Sequence, residues 1–444
     1  MVLSKFLFEN KLALLIIHII IGFLATISGF SKIFGIGILI IGFIILFKSN
    51  NKNEEAFYIA AYITGAEVFV RMIKGFPSYE TGKYAVIVFL LIGMFVGGIK
   101  QKFSIQYLFY LLLLLLGIVF TQVPDGESIR KAIVFNLSGP IVLGISALYF
   151  YKRRITREQI HNALFGMLLP LFSMVTYLYF RTPDLKEIVF GGSANFQTSG
   201  GFGPNQVATA IGAGIFIIAI LILLKYKITG FVIIDSFFLL YFIYRGLLTF
   251  SRGGIITGAI ALIFFFFFYI LYEKGSLQSF FKYVLIGGAL SSAIWLYTSN
   301  ATGGMLDNRY AGKNAKGIQK EDITSGRTAI IQEQIKSFIV TPLGIGVGNG
   351  KYKRQLQGGQ VTAASHNEIG RLIEEHGALG LILLIMLITI PLSHFFRCNN
   401  YERAFITAFY LFWFLTINHS AMRIAFPGFI YGVSLILITK TKSE

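Results

Sequence analysis

Residues 107–120 read YLFYLLLLLLGIVF, an uncharged apolar run, and comparable runs recur along the 444-residue chain. In hydrocarbon a backbone amide finds no water, so a run like this must satisfy its own N–H and C=O groups as a helix. A soluble fold is excluded by amount. The AVILMFWYC set makes up 55% of the chain, 14% is charged, and 45 Phe and 22 Tyr exceed what a soluble core can hide. An outer-membrane barrel is excluded by pattern, since its strands alternate apolar and polar residues. The sequence therefore predicts an all-α, polytopic, integral membrane helical bundle.

A crossing needs about 20 apolar residues. Candidate spans lie at 11–30, 34–47, 56–73, 84–98, 103–122, 133–151, 159–180, 205–224, 228–250, 253–273, 279–298, 377–396, 402–419 and 424–440. Several are short and one pair could form a single re-entrant segment, so the expectation is about 12–14 transmembrane helices. The first apolar stretch runs almost directly into the second, which reads as an anchor and not as a cleaved signal.

The net charge of +18 fits Lys and Arg gathered in cytoplasmic loops, with no nucleic acid as partner. Basic residues at Lys100/Lys102, Lys152–Arg157, Lys225/Lys227, Arg397/Arg403 and Lys440/Lys442 fall on one side if the spans alternate. That side is then cytoplasmic, and 181–204, Ser251–Gly254, 299–364 and 418–423 face the other way. Cys398 is the single cysteine, which excludes an internal disulfide and a cysteine-cluster metal site.

Four regions follow from this pass: an N-terminal transmembrane region (1–204), a second one holding a Ser-Arg-Gly-Gly element (205–298), a large extracytoplasmic loop (299–376) and a C-terminal transmembrane region (377–444). The long loop carries nine Lys/Arg against four acidic residues between Asn300 and Ala364, a net +5 on the side where positive charge is disfavoured. Ile331, Ile335, Phe338 and Ile339 share a helical face ended by Pro342, so an ordered helical subdomain is expected.

Four elements on that outer side could carry chemistry. In Ser365-His366-Asn367-Glu368, His366 stands at the start of a short amphipathic helix at the membrane surface, with Ile369, Leu372 and Ile373 as its apolar face. A neutral imidazole there can take a hydroxyl proton; an interfacial histidine satisfied by water is the bland alternative. His376, at the far end, reads as structural. In Thr249-Phe250-Ser251-Arg252-Gly253-Gly254, Arg252 at a span edge can grip a phosphate or simply snorkel to headgroups. Arg327, in Ser325-Gly326-Arg327-Thr328, starts the loop helix as an anion site or as an ordinary solvated arginine. In the Gly200–Gln206 stretch, Asn205 and Gln206 can hydrogen-bond sugar hydroxyls or serve as turn chemistry. No phosphate-cradling P-loop and no Cys/His ligand set is present.

Taken together these motifs resemble a known family. His366-Asn367, nine residues, Gly377, two residues and Gly380 resemble the H-[NSQ]-x9-G-x2-[GTY] signature of bacterial O-antigen ligases. The TFSRGG around Arg252 resembles that family's Ser-Arg-Gly element, Gly200–Asn205 its Gly-x-x-x-Pro-Asn element, and SGR to PLGIGVGNGKY its large periplasmic loop. The likeness covers about 195–385 and extends to O-antigen and capsule polymerases.

It implies a GT-C-like, metal-independent inverting glycosyltransferase of the bacterial inner membrane, with no cofactor and its active site on the periplasmic face. The donor would be an oligo- or polysaccharide on undecaprenyl pyrophosphate. The acceptor would be lipid A–core for a ligase or another glycan for a polymerase, with a slight lean to ligase. His366 becomes the catalytic base, and Arg252 and Arg327 the pyrophosphate ligands. Asn205, Gln206, Asn367, Glu368 and Arg371 become weaker glycan contacts. A transporter or flippase of an anionic glycolipid is the rival from another class, but no repeated halves of broken helices are evident.

Overall fold

The computed structural model describes residues 9–96, 102–320, 322, 326–356 and 365–440. Lys100, Glu321, Ser325, Ala364 and Lys442 lie outside the described residues. The chain is an all-α bundle, as expected. All fourteen apolar segments carry helix, and seven helices among the described residues are long and apolar enough to cross a membrane.

The helices in chain order are α1 (Lys11–Leu24), α2 (Phe30–Ser49), α3 (Glu55–Met72), α4 (Thr81–Phe95), α5 (Ile105–Leu116), α6 (Ile129–Phe150), α7 (Arg157–Arg181), α8 (Pro204–Leu223), α9 (Val232–Leu248), α10 (Arg252–Tyr272) and α11 (Leu277–Ala301). Within the long loop come α12 (Met305–Tyr310), α13 (Arg327–Val340) and α14 (Asn349–Leu356), followed by α15 (Glu368–Phe395), α16 (Asn400–His419) and α17 (Ala425–Val433). Strands β1 (Arg154–Thr156) and β2 (Leu437–Thr439) pair in parallel.

Helices α3, α7 and α8 form the buried spine, and α10 packs between α8 and α16. Small residues let these backbones approach closely. A side chain at Gly212 would collide with the Gly254 backbone, and one at Gly258 would press on Gly212. Segment 424–440 differs from its expectation. Its helix spans nine residues and then gives way to the β2 pairing. Buried against α3, α6 and α16, α17 needs no full crossing, because protein surrounds its backbone ends.

Described residues of the basic clusters gather at one end of the bundle. Lys11 donates to the Tyr226 carbonyl, Arg157 to the Tyr272 hydroxyl, and Arg153 pairs with Glu54 at 2.7 Å. The starts of α1, α7 and α16 and the ends of α8 and α10 meet there. The described residues of the long loop and every candidate site residue lie at the opposite end.

Two expectations about the loop need correction. Helix α13 forms and stops before Pro342, but Ile330, Gln334 and Ser337 are the buried face, whereas Ile335 and Ile339 are exposed. The helix expected at 368–376 forms as the first turns of α15, but it is not half-solvated. Arg371, Glu374, Glu375 and His376 are all buried. The charges pair internally, Arg371 with Glu368 and Glu375, and Glu374 with Arg354 of α14. The glycine-rich turn 344–348 wraps over this turn, with the Ile345 and Gly346 amides donating to the Glu374 and Glu375 carbonyls. At Gly377 the backbone turns (φ 60°, ψ −135°), a conformation that a Cβ would disfavour and for which Pro342 leaves no room. There the buried turn ends and the membrane-crossing part of α15 begins.

Candidate active site

Arg252 is the first residue of α10. The preceding residue, Ser251, spends its hydroxyl on Asn205 Oδ1 at 2.8 Å and leaves the first turn of α10 without a side-chain cap. The amides of that turn therefore point a positive field out of the bundle end. Arg309 of α12 holds this corner: its Nε donates to the Phe250 carbonyl (2.9 Å) and its Nη1 to the Gly192 carbonyl (3.0 Å). Lys320 also donates to Gly192. Phe250 sits at φ 56°, so the carbonyl that Arg309 grips belongs to a strained residue two positions before Arg252.

Arg327 joins the cluster from the start of α13. Burial first, and then the charge of Arg252, lowers its proton affinity from the usual guanidinium value. Arg309 is lowered by burial, Arg252 and Arg327, and Lys320 by burial, Arg309 and Arg252. Four cations are thus held within electrostatic reach of one another, an arrangement that favours a multiply charged anion.

His366 lies between this cluster and Arg423. Its Nδ1 is buried with no hydrogen-bond partner among the described residues. Burial, Arg327 and Arg423 push its pKa down to about 4, so the ring is neutral at pH 7. Arg423, in the turn between α16 and α17, donates to the Ser365 carbonyl at 2.9 Å and fixes the backbone next to His366. The Arg423 carbonyl in turn accepts from Arg71 of α3 at 3.0 Å. Arg71 pairs with Glu67 at 2.5 Å, and Glu67 accepts the Ala425 amide. This buried chain ties the turn 420–425 to the spine of the bundle.

The structure brings Arg252, Arg327 and His366 together. The five residues expected to touch a glycan also have internal partners. Asn205 accepts from Ser251, and Gln206 bonds Arg71 and Tyr79. Asn367 caps the turn by accepting the Gly370 amide and donates to Asn418 at 3.1 Å. Glu368 and Arg371 pair with each other.

Sequence reasoning passed over Arg71, Arg309, Lys320, His419 and Arg423. A signal existed for the first, since Glu67 and Arg71 at i,i+4 inside an apolar span mark an intramembrane ion pair. His419 and Arg423 lie in a segment used only to assign orientation.

A cavity of about 400 Å³ opens on the Arg423 side of His366, lined by Ser365, Phe135, Asn136, Lys131, Glu127 and Tyr352 among others. Its mixed charges and aromatic rings contrast with the uniformly basic cluster on the Arg327 side.

Residues 236–385 match the family model described as O-antigen ligase. The match runs from α9 through the upper part of α15 and takes in Arg252, Arg327 and His366. This segment is therefore similar to the O-antigen ligase/polymerase superfamily. No curated protein matches the chain.

Proposed function

We propose that this chain transfers a glycan from undecaprenyl pyrophosphate to an acceptor hydroxyl on the outer face of the bacterial inner membrane, in the manner of an O-antigen ligase. The observation that carries this reading is a neutral imidazole, its Nδ1 without a hydrogen-bond partner among the described residues, flanked by a cluster of cations. The pyrophosphate of the donor binds Arg252 and Arg327, within the field of Arg309 and Lys320. Negative charge grows on it as the glycosidic bond breaks, so pre-placed guanidinium groups act most strongly in the transition state. These cations do the work that a divalent metal does elsewhere. The acceptor hydroxyl approaches from the cavity beside Ser365, and His366 takes its proton as oxygen attacks the anomeric carbon. Displacement in one step inverts that carbon.

The deciding experiment uses purified full-length protein in nanodiscs with an undecaprenyl-pyrophosphate-linked glycan and EDTA. With lipid A–core added, glycan should appear on the core and undecaprenyl pyrophosphate should be released. Chain elongation without lipid A–core would identify a polymerase. Movement of the donor across the bilayer without bond breakage would replace the transferase reading by a transporter.

A pH profile follows from His366. The free site needs its neutral form, which persists down to about pH 4. The acid limb of kcat/KM should therefore lie far below the value of roughly 6.5 typical of an unperturbed histidine. The limb of kcat should lie higher, because bound pyrophosphate offsets the charge of Arg327. A kcat/KM limb between pH 6 and 7 would assign the base elsewhere.

A further inference from the structure

His419 ends α16 within the same basin, outside the residues matched by the family model. Its Nδ1 lies 2.9 Å from the Leu415 carbonyl. A carbonyl only accepts, so Nδ1 carries the hydrogen, and Nε2 in the neutral ring holds a lone pair. That Nε2 is buried and has no hydrogen-bond partner among the described residues. The ring lies against Gly253, where any Cβ would collide with it, and so abuts the uncapped first turn of α10. The charged and titratable groups facing it are Arg327 from α13 and His366 from the turn before α15, with Arg252 next to Gly253 on α10. Its neighbour Asn418 is occupied by Asn367.

Among the described residues nothing donates to this acceptor, and the charged groups facing it are cations. A diphosphate docked on α10 reverses the local field. We propose that His419 is a proton-switched ligand of the donor pyrophosphate. On docking, Nε2 takes one proton from solvent and then donates it in a charge-assisted hydrogen bond to a phosphate oxygen, while Nδ1–H stays on Leu415. The proton remains on Nε2 through glycan transfer and returns to solvent when the pyrophosphate product leaves. The inference rests on the transferase reading above.

The test is calorimetric titration of farnesyl pyrophosphate into full-length protein in nanodiscs at pH 7, in two buffers of different ionisation enthalpy. The wild-type protein should take up about one more proton per bound ligand than His419→Gln. The glutamine variant should bind roughly tenfold more weakly, the loss expected for a charge-assisted hydrogen bond. Gly253→Ala, which displaces the ring without removing it, should show the same loss of proton uptake. His366→Gln should retain the uptake that His419 provides. Equal uptake and affinity in wild type and His419→Gln would overturn the proposal and leave the transferase reading intact. Absence of binding to the wild-type protein would overturn the transferase reading itself.

Discussion

His366→Ala is expected to slow glycan transfer by roughly 10²–10⁴-fold, the usual cost of losing a positioned general base, while insertion into the membrane and donor binding persist. The Ser365 carbonyl stays fastened by Arg423, and the cap on the following turn comes from Asn367, so the backbone around position 366 does not depend on the imidazole. Turnover of purified protein with saturating donor measures the effect directly. Near-normal turnover would remove His366 from the reaction. The contrast is His376→Ala. That ring is fully buried against Gly117 and Val347, so its loss should lower thermal stability more than the chemical step.

Arg252→Lys should be nearly as damaging as Arg252→Ala, each lowering kcat by about 10²–10³-fold, as removal of a pre-placed donor to a developing anion does. A lysine keeps the charge but loses the planar fork that grips two phosphate oxygens at once. The local geometry sharpens the expectation. Arg309 fixes the carbonyl of Phe250 two residues upstream and so steadies the backbone leading into Arg252, where a point-charged ammonium lacks the second donor arm. Recovery of activity with lysine would mean that position 252 supplies positive potential and nothing more. Arg327, half-buried on the loop helix, should follow the same pattern with a smaller gap between the two variants.

The bundle was legible in the sequence because hydrocarbon leaves a chain few choices, and apolar length alone marks each helix. Arg252, Arg327 and His366 were legible because each sits in a short local motif, at the edge of an apolar run or at the start of a helix. The environment of turn 368–376 was not. Its periodicity suggests a charged face turned to water, yet Arg354 arrives from a separate helix to pair with Glu374, and the turn 344–348 covers the rest. Contacts of that kind join segments whose spacing along the chain carries no pattern. The same limit hid His419 and Arg423, which reach the site only because Arg71 and Glu67, on a helix some 350 residues earlier, hold their turn in place.

The position of Arg252 at the first residue of a membrane-crossing helix has a kinetic consequence. On the proposed reading, a lipid diphosphate bound there stays at headgroup depth, so its hydrocarbon tail never leaves the bilayer, where each buried methylene contributes about 0.8 kcal/mol of retention. Encounter with such a donor is a lateral search in two dimensions. Its rate is set by how many donor molecules share each unit of membrane area, and dilution of the surrounding water leaves it unchanged.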